Sequence, residues 1–189
     1  MDMISSPHAA GELRDLVMRT LWTLFAAFCL ALVGYLALYF FSGSHGGMMT
    51  PESLASWEQW RLLFGIGGLT ALYVSLRIRG VRLAPKRFAQ AARKALARAA
   101  GQPQNPAATN QAYERLIGRI TMDHVLLWSI VEIPAILGIV DWMVSGSSRQ
   151  LFALIGMSAL GLFAHRPRAN QVETLLNAMR TRPEGLSHD

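Results

Sequence analysis

A charge-free apolar run from Leu21 to Phe41 constrains this chain more than any other feature. At 1.5 Å per helical residue it covers the roughly 30 Å of a bilayer hydrocarbon core. A helix apolar on every side must be buried in a large protein core or in lipid. A chain of 189 residues has little core to offer, so the run predicts a membrane span. Asp2, Glu12 and Asp15 precede it, and it exceeds the usual 7–15 residues of a signal-peptide core. A retained anchor is expected.

Three more apolar runs follow. Leu62 to Leu76 is bounded by Arg61 and Arg77, and Val125 to Val140 contains Glu132 and is preceded by Asp123 and His124. Leu151 to Ala164 lies between Arg149 and the cluster His165, Arg166, Arg168. The second and fourth runs are short for a bilayer, but snorkelling arginines and local thinning absorb a few ångströms of mismatch. The expected fold is an all-α integral membrane four-helix bundle with spans near 21–41, 60–78, 122–142 and 149–165. Small residues at helical spacing, Ala27, Ala31 and Gly34 in the first run and Gly67, Ala71 and Ser75 in the second, mark faces suited to close helix packing.

Only 16% of residues are charged, against roughly 25% in an average soluble domain. The net charge of +6 comes almost wholly from arginine, Lys86 and Lys94 being the only lysines. The basic residues flank the apolar runs. They point to anionic lipid headgroups rather than nucleic acid, for which no groove-reading motif is present. Headgroup contact is expected at Arg77, Arg79, Arg87, Arg93, Lys94, Arg166 and Arg168. Most of the basic residues fall in residues 79–118 and in the tail 166–189, while the two other connections hold one each, Arg61 and Arg149. By the positive-inside rule the 79–118 loop and both termini face the cytoplasm, which suits a bacterial inner membrane.

The second and fourth runs align without gaps from Arg61 to Leu72 and from Arg149 to Leu160, sharing Arg, Leu, Phe, Gly, Ala and Leu. A duplicated helical hairpin, in parallel orientation, is therefore an expectation. Between the pairs, Pro85 to Ala100 reads as a basic helix with Phe88, Ala92 and Leu96 on one face, placed at the membrane surface. Gly101 to Asn110 reads as a linker, and Tyr113, Leu116, Ile117 and Ile120 lead as a helical stripe into the third span. After Pro167, Val172, Leu175, Leu176 and Met179 predict a juxtamembrane helix that packs on the loop helix or on a partner.

Glu132 is the one carboxylate inside a predicted span, within Trp128-Ser-Ile-Val-Glu-Ile-Pro-Ala-Ile-Leu-Gly138. A carboxylate at bilayer depth costs a few kcal/mol unless protonated, paired or wetted, about 2.5–3.5 for Asp on insertion scales. Pro134 withdraws a backbone donor and orphans the carbonyl of Ile130. Glu132 is thus either an acid that ties a kinked helix to Ser129, Thr70 or Ser158, or a proton or cation site. His124, about 80° away around the helix, is the candidate cytoplasmic proton donor.

Residues 115–168 resemble small bacterial multi-span membrane proteins, a resemblance that implies no activity. Glu132-x-x-Ala135-x-x-Gly138 also looks like the ion-binding helix of rotary ATPase proteolipid subunits. That resemblance implies Glu132 as an ion-binding acid opposite a glycine-rich helix, here Gly65, Gly67 and Gly68. The departures are a connecting segment of about 40 residues, irregular glycine spacing and Pro134.

No enzyme is expected. His8, His45, His124, His165 and His188 have no metal-ligand spacing, the serines lie in no Gly-x-Ser-x-Gly context, and Gly65-Ile-Gly67-Gly68 lacks the rest of a nucleotide fingerprint. Cys29, the only cysteine, rules out an internal disulfide or a cysteine zinc cluster. No cofactor is implied. The leading expectation is an accessory, assembly or scaffolding subunit that binds other membrane proteins or its own copies. The alternative is a small proton- or cation-linked transporter or channel built on Glu132.

Overall fold

The computed structural model describes residues 7–42, 47, 51–101 and 107–180. Within them lie six α-helices: α1 (Pro7–Phe41), α2 (Pro51–Arg82), α3 (Pro85–Ala100), α4 (Ala108–Ser145), α5 (Ser148–Ala164) and α6 (Ala169–Arg180). No strand occurs among the described residues. Three helices are long and apolar enough to cross a membrane, over Gly11–Phe41, Ser56–Arg82 and Asn110–Ser145, and α5 is a shorter apolar helix. Part of the expected linker, 102–106, and the tail 181–189 with Arg182 and His188 lie outside the described residues, as does His45.

The 79–118 connection is largely helical. Arg79 to Arg82 complete α2, Pro85 opens α3, and α4 starts at Ala108. The reason is continuity of pattern: Ala112, Leu116 and Ile120 are buried at helical spacing, so polar residues on the outer side extend the helix rather than end it. Pro85 has the fixed φ of a first helical residue and needs no backbone partner there.

The chain divides into two compact units. Unit 1 comprises Met1–Thr23, Arg79–His124 and Pro167–Asp189, and unit 2 comprises Leu24–Ile78 and Val125–Arg166. In unit 1, α3 packs on α6. Phe88 and Ala92 of α3 are buried, as are Val172, Leu175 and Leu176 of α6, while Leu96 is half-buried. The apolar face of α3 is thus occupied by α6 within the unit, and its charges are left facing outward. Its exposed charged residues are Lys86, Arg87, Arg93, Lys94 and Arg98.

In unit 2 the core is built around Trp128, Val131, Ala135, Leu151, Leu154 and Leu162. Gly161 lets α5 approach closely: a Cβ there would overlap Val131 and come within 2.7 Å of Leu72. Gly146, at φ 74°, closes α4 by donating its N–H to Trp142 O at 2.8 Å and turns the chain into α5. The aligned halves of the apparent repeat do not share surroundings. Leu151 and Ser158 are buried where Leu63 and Thr70 are exposed, and Ala71 is buried where Ala159 is exposed.

Candidate functional site

The most developed polar assembly lies in unit 2. Asp141 of α4 is fully buried, and its Oδ1 accepts hydrogen bonds from Trp57 Nε1 at 2.8 Å and Arg61 Nε at 3.2 Å. Arg61 Nη2 donates to Ser145 Oγ at 2.7 Å, and that hydroxyl donates to Asp141 O at 2.7 Å. Gln150 Nε2 of α5 donates to Arg61 O at 2.8 Å. A carboxylate removed from solvent needs both a counter-charge and donors, and Arg61 supplies both. The result joins α2 to α4 by an ion pair and α2 to α5 by a neutral hydrogen bond. Sequence reasoning read Arg61 only as a charge bounding the second run and drew nothing from Asp141. A lone cation and a lone anion at the same end of two predicted spans were the available signal.

Glu132 is half-buried on α4, and its Oε1 is buried with no hydrogen-bond partner among the described residues. Cys29 and Tyr35 of α1 lie within its electrostatic reach. The three hydroxyls expected to hold it are engaged or turned elsewhere. Ser158 Oγ accepts the N–H of Ala135 at 3.0 Å, Thr70 Oγ1 donates to Ile66 O at 2.8 Å, and Ser129 is exposed. Beside the helix-breaking Pro134, therefore, Ser158 meets the backbone and Glu132 stands apart from that task.

Ser75 and His165 form a second buried pair in unit 2. Ser75 Oγ donates to Leu72 O at 2.7 Å, so its remaining capacity accepts from His165 Nε2 at 3.0 Å. The His165 carbonyl accepts the indole N–H of Trp128 at 3.1 Å, and the Trp128 ring lies 5.6 and 5.7 Å from Phe25 and Phe28. His165 was grouped with the basic cluster by sequence; it belongs instead to the interior.

His124 and Asp123 belong to unit 1, Glu132 to unit 2. His124 is buried, with Nδ1 2.8 Å from Ile120 O. Asp123 Oδ1 accepts from Arg82 at 2.9 Å, and Arg119 approaches Oδ2 at 3.8 Å. His124 thus sits buried next to an acid that is met by two arginines.

The expected packing and basic residues fall as follows. Ala71 and Ser75 are buried and a Cβ on Gly67 would meet Leu137 at 3.6 Å, whereas Ala27 and Gly34 are exposed and Ala31 is half-buried. The inward residues of α1 in unit 2 are instead Phe25, Phe28, Leu32 and Tyr39, the last 5.4 Å from the Trp142 ring. Arg77, Arg87, Arg93, Lys94, Arg166 and Arg168 are exposed, and Arg79 is half-buried with Nη2 3.5 Å from Gln171 Oε1. The Arg166 guanidinium lies 4.6 Å over the Phe163 ring.

No cluster of three potential metal ligands occurs among the described residues. Compared with protein-family models, curated proteins and solved structures, the chain matches none.

Proposed function

We propose that this chain is a non-catalytic integral membrane protein that acts as an accessory or scaffolding subunit for other membrane proteins. The observation that carries this reading is the openness of α1. Only 6% of its most apolar stretch is buried within the chain, against 44% for α4, and a Cβ on Gly34 would meet nothing within 4 Å. A lipid-exposed helix needs no small-residue stripe; Ala27, Ala31 and Gly34 suit a partner helix at close range.

On this reading α5 serves as a fourth, short span, with exposed Arg149 and Arg166 snorkelling at its ends. Both termini and the basic α3 lie on the cytoplasmic side of a bacterial inner membrane, where α3 faces anionic headgroups through its charges. The duplicated-hairpin arrangement is not carried forward, since its aligned positions differ in burial.

One observation favours a second reading. The unpartnered Oε1 of Glu132 is what a titrating proton or cation site would present. The test is a mild-detergent pull-down of the full chain from its native membrane, read by native mass spectrometry. A partner at fixed stoichiometry, retained by Glu132→Gln and lost on Gly34→Leu, is the expected result. A bare homo-oligomer, with proton flux in liposomes abolished by Glu132→Gln, would transfer the assignment to the transporter.

A further inference from the structure

Between Val125 and Ser145, α4 turns outward Leu126, Ser129, Ile133, Ile136, Val140 and Met143, while the rest of that stretch is buried or half-buried. The separations alternate between three and four, the interval at which one helix offers a seam of side chains to a single other helix. Ile133 and Val140 fall in the register that precedes each three-residue step. There, β-branched side chains favour two-stranded parallel pairing.

Two polar groups mark this apolar seam, and neither is satisfied within its own chain. Ser129 stands on it, and its hydroxyl makes no hydrogen bond among the described residues. Exposed threonines elsewhere settle theirs on their own helix: Thr20, Thr23, Thr70 and Thr174 each donate to the carbonyl four residues back. Glu132 borders the seam and meets no donor among the described residues; of its two oxygens only Oε1 is fully buried. The other is open to a donor from outside the chain. Residues three apart are neighbours on a helix, so α4 carries a donor and an acceptor side by side that do not join each other. In hydrocarbon no water satisfies either of them.

We propose that unit 2 pairs with a second copy of this chain along α4, about a two-fold axis, with Ser129 of each copy donating to Glu132 of the other. A two-fold interface brings the same patch from both sides, so a patch holding one donor and one acceptor satisfies itself twice. Copies inserted by the same topology run in the same direction, as a parallel seam requires. Lipid tails covering the face would leave both polar groups unpaired, whereas a second helix supplies partners. The proposal rests on unit 2 lying in a bilayer but not on the accessory role, since it uses α4 rather than the Gly34 face of α1.

The experiment places single cysteines along α4 of the full chain in a Cys29→Ala background and oxidises native membranes with copper phenanthroline. Disulfide-linked dimers are expected to peak at Ile133→Cys and Ile136→Cys. Their yields should exceed by about fivefold those at Leu63→Cys and Leu160→Cys, which are exposed on α2 and α5. Equal yields on all faces, or a maximum on α2 or α5, would overturn the proposal. The polar exchange is read by energy transfer between labelled copies diluted in liposomes. Ser129→Ala and Glu132→Ala should each weaken association about fivefold, and the two together no further, because they break the same bonds. Glu132→Gln, whose amide oxygen still accepts, should stay within about twofold of the native chain. No loss, or losses that multiply in the double variant, would also count against the pairing. Carbonate extraction of the same membranes reads insertion separately. Release by carbonate would defeat the membrane reading and this proposal together, whereas an inserted chain with a flat cross-linking pattern would defeat the proposal alone.

Discussion

In unit 1, α3 and α6 bury Phe88, Ala92, Val172, Leu175 and Leu176 and turn Lys86, Arg87, Arg93 and Lys94 outward. Unit 2 reverses this arrangement. It exposes Leu30, Phe40, Leu62, Ile66, Leu69 and Phe163 while burying Asp141, Ser75, Ser158 and His165. Among the described residues, only Leu16, Trp22, Val81 and Met122 of the exposed large apolar side chains belong to unit 1. Charge divides in the same way: Arg61, Arg77, Arg149 and Arg166 balance Glu52, Glu58, Glu132 and Asp141 in unit 2, so the whole net charge of +6 falls in unit 1. One chain therefore carries two solvation rules. Unit 1 keeps most of its charges outside, the arrangement that suits water, whereas unit 2 turns large apolar side chains outward, the arrangement that suits lipid.

The sharpest way to break the comparison is to remove a counter-charge in each unit. Arg61→Leu strands Asp141, which is fully buried, with only the Trp57 and Ser145 donors. Loss of about 3–5 kcal/mol is expected, the cost of breaking a buried pair from one side. Arg82→Leu removes a half-exposed arginine from Asp123 while Arg119 remains within 3.8 Å, so the expected loss is about 1 kcal/mol or less. Unfolding by SDS titration in mixed micelles measures both. Equal losses would refute the claim that the units differ in how they hold charge.

Next in size is Phe88→Ala. The ring is 1% exposed where α3 meets α6, and truncation in such a core costs about 3 kcal/mol. If unit 1 is a separate water-facing core, the damage stays there. Hydrogen exchange should rise across α3 and α6 while Val125 to Ala164 keeps its protection. Uniform loss of protection would mean that the two units unfold as one.

What the sequence disclosed tracks how local each signal is. Leu21 to Phe41 was legible because no charge interrupts it, and α6 because Val172, Leu175 and Leu176 repeat at one face. The early part of α4 was harder: Ala108 and Asn110 follow prolines and look like linker, and only Ala112, Leu116 and Ile120 reveal the helix continuing. The Arg61–Asp141 pair escaped because it joins positions 80 residues apart. Glu132 drew attention as the one acid in a run, yet the backbone beside Pro134 is met by Ser158, whose hydroxyl resembles any other in an apolar segment. The apparent repeat was read from letters alone, and apolar letters recur whether or not their burial does.

The smallest effect addresses that last point through two glycines of α5. Gly161→Ala places a methyl against Val131 and within 2.7 Å of Leu72, and a packed core resists the intrusion by about 1–3 kcal/mol. Gly156, aligned with Gly68 in the apparent repeat, has open space where a Cβ would stand, with nothing within 4 Å, and alanine there should stabilise the helix by up to about 1 kcal/mol. Gly68→Ala meets Leu154 at 3.1 Å and Pro134 at 3.4 Å, so it should destabilise or at best break even. Opposite signs at Gly68 and Gly156, read in the same SDS titration, follow if packing rather than sequence likeness sets the role of each glycine. Matching signs would instead restore the two segments as structural equivalents.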